Sequence, residues 1–366
     1  MRGGILSFDE TGTLVDIAVP GMAAIDGCRD VEFFSGILLP GMVNAHCHLE
    51  LSYLKGAIPR GIGFAGFADA IAVERHRCTP QQRIEAAAYR DAKMYREGVS
   101  VVGDICNGAS TFGIKEKSPV FYHNFVEGFG LKCPDFSHVH RLAREASERG
   151  LAASVTPHST YSLQDTPFRE LAASGGRLSV HFMESLQERD LFFRRGPLFE
   201  RNRKAEVRED FLQYGSPARR IMASVPSGTD ILLVHNTFVT EEEMSQLRSH
   251  FGDRSCWVVC PRSNDYIEGA HPPAEALYRA GCCVAVGTDS LASNDSLSLI
   301  DELKCLPEIP LEERLRWATL GGARALGVED RFGSFEPGKR PGAVLLDGID
   351  WEWMQLRPSA RTRRIL

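Results

Sequence analysis

The sequence predicts an α/β fold: a (β/α)8 TIM barrel with a small β-sandwich domain built from the N- and C-terminal segments. Three observations lead there. From Pro40 onward, short apolar runs alternate with stretches of helical spacing, making eight βα units. The runs are continuous, as parallel strands buried on both faces require. The segments at the two ends hold only short strands and turns. Eight units over roughly 290 residues suit a closed barrel better than an open doubly wound sheet.

At the N-terminal end, residues 5–8 and 13–17 flank Asp9-Glu10-Thr11-Gly12 in a hairpin pattern. Strands are expected next over 31–34 and 37–39, broken by Ser35-Gly36. The barrel strands fall at 42–45, 100–105, 120–127, 152–156, 178–182, 231–234, 256–259 and 283–287. Helical spacing fills 80–97, 137–149, 240–250 and 273–280 between them. A turn cluster over 333–339 precedes a strand at 343–346. Residues 1–40 with 333–366 are expected to form the small β-domain, and 41–332 the barrel. Residues 188–210 carry both signs of charge together with Phe192, Phe193 and Phe199. They read either as a solvated face or as a lid over the site.

The chain has 366 residues, 43% apolar and 25% charged, an ordinary globular composition. With 48 acidic and 42 basic residues and no basic tract, nothing points to nucleic acid or an anionic membrane. No apolar run approaches the ~18 residues of a transmembrane helix, and the first residues are too polar for a signal peptide. A cytoplasmic protein with reduced thiols is expected. The ten cysteines include no Cys-x-x-Cys, which argues against a cysteine zinc site; Cys106, Cys256, Cys260 and Cys283 read as small core residues.

Barrels place their chemistry at the C-terminal ends of strands. His46 and His48 end the first strand, His158 follows the fourth, and His181 ends the fifth with Glu184 three residues on. His235 ends the sixth and Asp289 the eighth. One such histidine is ordinarily structural; six polar groups at the same end of successive strands are not. His76, His138, His140, His250 and His271 fall in helices or loops, and His123 lies within a strand and stays undecided. In a strand, residues two apart share a side, so His46 and His48 converge while Cys47 turns away. A nitrogen from His181 and a carboxylate from Asp289 complete a set suited to zinc or ferrous iron. Glu184 reads either as a general acid–base or as a partner that orients His181.

These residues sit in Pro40-Gly41-Met42-Val43-Asn44-Ala45-His46-Cys47-His48, Thr156-Pro157-His158-Ser159, His181-Phe182-Met183-Glu184-Ser185, Val234-His235-Asn236, Cys260-Pro261-Arg262-Ser263-Asn264 and Gly287-Thr288-Asp289-Ser290. In this order the stretches resemble the amidohydrolase superfamily, in the branch of chlorohydrolases and of cytosine, guanine and S-adenosylhomocysteine deaminases. The resemblance implies one divalent metal, zinc or iron, held by His46, His48, His181 and Asp289. His235 would orient the attacking hydroxide without being a ligand. Glu184 would protonate a ring nitrogen and pass the proton to the leaving amine, and Asp289 would take a proton from water. His158 and Asn264 would lie near the substrate. Binuclear members carry a bridging carboxylated lysine; Val155-Thr156-Pro157-His158 has none, which favours a single ion. The chain also lacks the His-x-Glu and Pro-Cys-x-x-Cys signature of the unrelated zinc deaminases. Lys339-Arg340-Pro341-Gly342 departs from the family's acidic run after the closing turn, which bears on the small domain and not on the site.

The implied reaction removes ammonia from an amino-substituted heteroaromatic ring. The stretch from His46 to Gly56 is most similar to aminodeoxyfutalosine deaminases of menaquinone biosynthesis, which act on an adenine-type nucleoside. Adenosine, S-adenosylhomocysteine or guanine deamination, and chlorohydrolase or cyclic-amide chemistry, are the alternatives; a catalytically dead scaffold is opposed by the complete ligand set. Glu50 and Arg262 are candidate readers of substrate polar groups, with a structural role as the other reading. The partner expected is a small molecule, and the resemblance implies a homodimer.

Overall fold

The computed structural model describes residues 3–18, 31–133 and 135–366; Cys28 and residues 19–30 of the expected small domain lie outside the described residues. The strands are β1 (Ile5–Phe8), β2 (Leu14–Ala18), β3 (Ile37–Leu39), β4 (Met42–Cys47), β5 (Val99–Cys106), β6 (Phe121–Gly128), β7 (Ala152–Pro157), β8 (Leu178–Phe182), β9 (Ile231–His235), β10 (Ser255–Val259), β11 (Cys283–Val286), β12 (Val344–Asp350) and β13 (Gln355–Arg364). Every barrel strand read from the sequence is present. Local signals set the intervening helices: Thr79 and Thr240 each close a capping box at the start of Pro80–Arg96 and Glu241–Phe251.

Two parallel sheets, β4-β5-β6-β7 and β8-β9-β10-β11, close into one barrel. Parallel bridges join them at both seams, Ser159 to His181 and Cys47 to Asp289. At one seam the His181 N–H donates to the His158 carbonyl at 2.9 Å; at the other the Thr288 and Asp289 N–H groups donate to the His46 carbonyl at 3.0 Å. Alternate residues fill two layers. Val43, Ala45, Val101, Ile105, Phe125, Leu232, Val234, Val258 and Ala285 pack inside the barrel. Met42, Val99, Leu178, Val180, Ile231, Leu233, Trp257 and Val259 pack outward, against the helices.

The period breaks once where it matters. The register of β4 on β5 slips between Asn44 and Cys47. Unbroken alternation from Val43 and Ala45 puts Cys47 inside; the slip sends Cys47 to the outer layer instead and turns His46 and His48 toward the mouth. Gly287 permits the closure: a Cβ there meets His46 Cβ at 2.7 Å.

The two chain ends meet beside the barrel. β3, β12 and β13 form an antiparallel sheet in the order β13-β12-β3. The β1–β2 hairpin is tied to the tail by Leu14 N–H to the Lys339 carbonyl and Gly338 N–H to the Leu14 carbonyl, both 2.8 Å. The unusual Arg340 serves this junction by donating to the Thr11 carbonyl. The strand expected over 31–34 is not formed: the segment pairs with no strand, and Phe33 is 90% exposed. A short apolar run with no face to bury against gains nothing from becoming a strand.

Within 188–210, helices Leu186–Leu191 and Gly196–Lys204 bury Leu191, Phe192 and Leu198 against Leu54, Phe64, Phe67 and Tyr161. Leu198, Arg201 and Asn202 form part of the wall of the cavity at the barrel mouth, while Phe193 stays exposed. Among the described residues no helix is long and apolar enough to cross a membrane.

Candidate active site

The strand ends converge on one point. His46 and His48 Nε2 atoms lie 3.2 Å apart, and Asp289 Oδ1 is 3.6 Å from the first and 3.3 Å from the second. The rings of His46 and His181 are 4.9 Å apart, and His181 stacks on His235 at 5.4 Å. Ligand atoms of His46, His48 and His181, and of His46, His235 and Asp289, lie within 4.8 Å of one another.

The backbone strains to achieve this. Among the described residues, seven non-glycine residues have positive φ, and four are here: Met183 (50°), His235 (77°), Asn236 (58°) and Asp289 (55°). Such conformations cost energy and persist where the surroundings enforce them. Asn236 is anchored by its amide, which donates to the Leu233 and Val258 carbonyls at 2.7 and 3.1 Å.

Neighbouring groups orient each ring. His181 Nδ1 donates to the His158 carbonyl at 3.0 Å, leaving Nε2 for the centre. His235 Nδ1 donates to Asn264 Oδ1 at 2.9 Å, leaving Nε2 buried and unpartnered. Asp289 Oδ2 accepts from Ser263 Oγ at 2.6 Å and Ser293 Oγ at 2.7 Å, so Oδ1 is the oxygen turned toward the histidines.

Burial holds the histidines neutral. It lowers the pKa of His46 and His235 and brings His48 down to about 4, against the pull of Asp289; His181 falls well below its usual value. Burial alone raises the Asp289 carboxyl, but the His46 hydrogen bond and the other histidines hold it well below the carboxylate range. Neutral imidazoles around an ionised carboxylate are the protonation states that a divalent cation requires. The mixed nitrogen–oxygen donor set of His46, His48, His181 and Asp289 fits zinc or iron chemistry better than calcium or magnesium. Burial, then the Asp289 and Glu268 charges, raise Glu184 well above its usual value, which favours its protonated form. Its Oε1 lies 3.7 Å from His235 Nε2.

A cavity of about 360 Å³ opens over this cluster, lined by His48, His158, His181, Glu184, His235 and Asp289 and by apolar residues including Phe64, Phe67, Ile71 and Leu198. Of the four candidate substrate contacts, only His158 lines it; its ring stacks on His181 at 4.4 Å. Asn264 lies beneath His235. Arg262 is turned away, donating to Asn294 at 2.9 Å and Asp295 at 3.2 Å. Glu50 accepts the Asn107 N–H at 3.2 Å and is absent from the cavity wall. Both are held by neighbouring residues. His123 pairs with Ser154 at 2.9 Å, a structural contact.

The sequence reading missed Ser263 and Ser293, which donate to Asp289, and Asn107 and Glu127, which line the cavity. Glu127 was findable, since it closes an apolar barrel-strand run as the histidines do.

The model of the amidohydrolase family matches residues 37–362. The chain belongs to the amidohydrolase family. It is a hydrolase acting on carbon–nitrogen bonds. An adenosine deaminase of Helicobacter pylori is 29% identical over 326 residues, 84% of this chain and 78% of that protein. The crystal structure of Helicobacter pylori aminofutalosine deaminase in complex with methylthio-coformycin superposes with a TM-score of 0.82 at 26% identity, over 94% of this chain and 87% of that one. An adenosine deaminase from Xanthomonas campestris with bound zinc shares the fold, with a TM-score of 0.75 at 22% identity over 95% and 80% of the two chains.

Proposed function

We propose that this hydrolase is a deaminase of an aminopurine nucleoside, of the 6-aminodeoxyfutalosine or adenosine type. One observation carries the reading: the buried Glu184 carboxyl, 3.7 Å from His235 Nε2, lines a cavity of about 360 Å³ together with His235 and Asp289. The deaminase and nucleoside character of the relatives described above supports it.

His46, His48, His181 and Asp289 would hold one divalent ion, zinc by preference. When bound, the ion supplies Lewis acidity and lowers the pKa of water toward ~7. The end of β7, Val155-Thr156-Pro157-His158, has no lysine to bridge a second ion, which supports a single one. Glu184 gives its proton to the ring nitrogen beside the carbon that bears the amine. His235, neutral and fixed by Asn264, accepts a hydrogen bond from the attacking water at Nε2. Asp289 takes the proton that water releases, and that proton leaves with the amine. The carbon–nitrogen bond breaks, ammonia departs, and the remaining hydroxyl proton of the adduct returns to Glu184, leaving a ring carbonyl. His158 packs against the bound ring.

Ammonia release by the zinc-loaded protein tests this across adenosine, 6-aminodeoxyfutalosine, S-adenosylhomocysteine, adenine and guanine. Release from at least one nucleoside is expected. Turnover of a lactam or chlorotriazine, with no ammonia from any aminopurine, overturns the reading.

A further inference from the structure

Glu127, at the end of β6, has no part in the chemistry above. It is 5% exposed, yet it lines the cavity, with its carboxyl group within 4.8 Å of the ligand atoms of His158 and His181. Oε1 accepts from Asn107 Nδ2 at 2.8 Å. Oε2 is buried and has no partner. Asn107 is itself fixed by its N–H on Glu50. The carboxyl group is thus held in place on one side and unsatisfied on the other, a costly arrangement unless a ligand completes it.

Its place in the ring says which part of a ligand it meets. The groups proposed to move protons stand at the ends of β8, β9 and β11, while Glu127 and Asn107 stand at the ends of β6 and β5 and pair with each other. With no proton-moving role in the proposed reaction, they are available to a part of the substrate that does not react. A hydroxyl both donates and accepts, so it pairs with a carboxyl group in either protonation state. Ring N–H groups and carbonyls do only one of these.

We infer that Glu127 is a specificity-determining residue that hydrogen-bonds a sugar hydroxyl of the nucleoside, so that the enzyme favours a ribosylated aminopurine over the free base. This rests on the deaminase reading above. The probes are adenosine, 2′-deoxyadenosine, 3′-deoxyadenosine and adenine, with ammonia release by the zinc-loaded full chain as readout. The wild type is expected to lose on the order of 100-fold in kcat/KM on one deoxy analogue. Glu127→Leu should lose about as much on adenosine and change little on that analogue, and Glu127→Gln should recover part of the loss. Equal loss on all four probes with Glu127→Leu makes the residue merely structural and overturns the inference. If Glu127→Leu gives no thermal transition, the wild-type comparison decides: similar rates on adenosine and both deoxy analogues overturn it. Ammonia from adenine alone also overturns it while leaving a deaminase. No ammonia from any aminopurine overturns the deaminase reading itself.

Discussion

The barrel buries two clusters of ionisable groups, and they are finished differently. In one, Lys115 and Asp104 are both fully buried, 2.5 Å apart. Lys115 Nζ also donates to Asn124 Oδ1 at 2.6 Å and to Cys106 Sγ at 3.0 Å, and Asp104 Oδ1 accepts the Leu49 N–H at 2.7 Å. Burial opposes the Lys115 charge, but Asp104 and Cys106 hold its pKa above the usual value. In the other, the histidines are neutral, His235 Nε2 has no partner, and the backbone is strained at His235 and Asp289. Charge is closed off in the first and left open in the second. Burial and charge do not by themselves distinguish the two clusters; an unpartnered atom on a residue that lines the cavity does.

The largest expected effect separates the two clusters by readout. Glu184→Gln should cost about 10³-fold in ammonia release, the scale of a lost general acid, with little change in melting temperature. Lys115→Met should do the reverse, removing about 3–5 kcal/mol of stability because it leaves Asp104 buried and unpaired. Denaturant titration checks it, and Asp104→Asn with Lys115→Met should recover part of the loss. A stable Lys115→Met protein breaks the comparison.

Metal removal comes next. Chelation should abolish activity and lower the melting temperature, with zinc restoring both at about one equivalent per chain. Elemental analysis of His46→Ala should show that equivalent lost. Retention of metal by that variant assigns the ligands elsewhere.

A smaller effect is expected from Ser263→Ala, which frees Asp289 Oδ2 from one of its two hydroxyl donors. Metal affinity should fall by roughly 10-fold, the lower end for an outer partner of a ligand. Competition with a zinc-binding dye measures it, and an unchanged affinity assigns the orientation of Asp289 to Ser293 alone.

The smallest is the pH dependence of stability in chelator. Burial raises Glu188 and Glu302 to about 8, so the folded chain keeps protons that the unfolded chain releases above 4.5, and stability is lost as pH rises toward 8. Burial lowers His123 to about 4 and His158 to about 3, so the unfolded chain binds protons below 6.5 that the folded chain refuses. The two trends offset between 4.5 and 6.5. Melting temperature should therefore fall from pH 6.5 to 8, and a flat profile there contradicts the burial of these carboxyls.

Much of this was legible in the chain. Continuous apolar runs specify two-sided burial, so all eight barrel strands could be read, and the polar residue closing each run marked the mouth of the barrel. His-x-His specified two rings on one side because strand alternation is a local property. Which side was decided by the register slip in β4, a property of its pairing with β5. Arg262 sits in a telling stretch, but only the placement of Asn294 and Asp295 shows where its guanidinium is spent. Likewise, an apolar run ending in Glu127 is visible in the sequence, whereas its unpartnered oxygen is not. Periodicity is encoded residue by residue along the chain. Partnership depends on which strand ends the closed barrel brings together, and that is settled only in three dimensions.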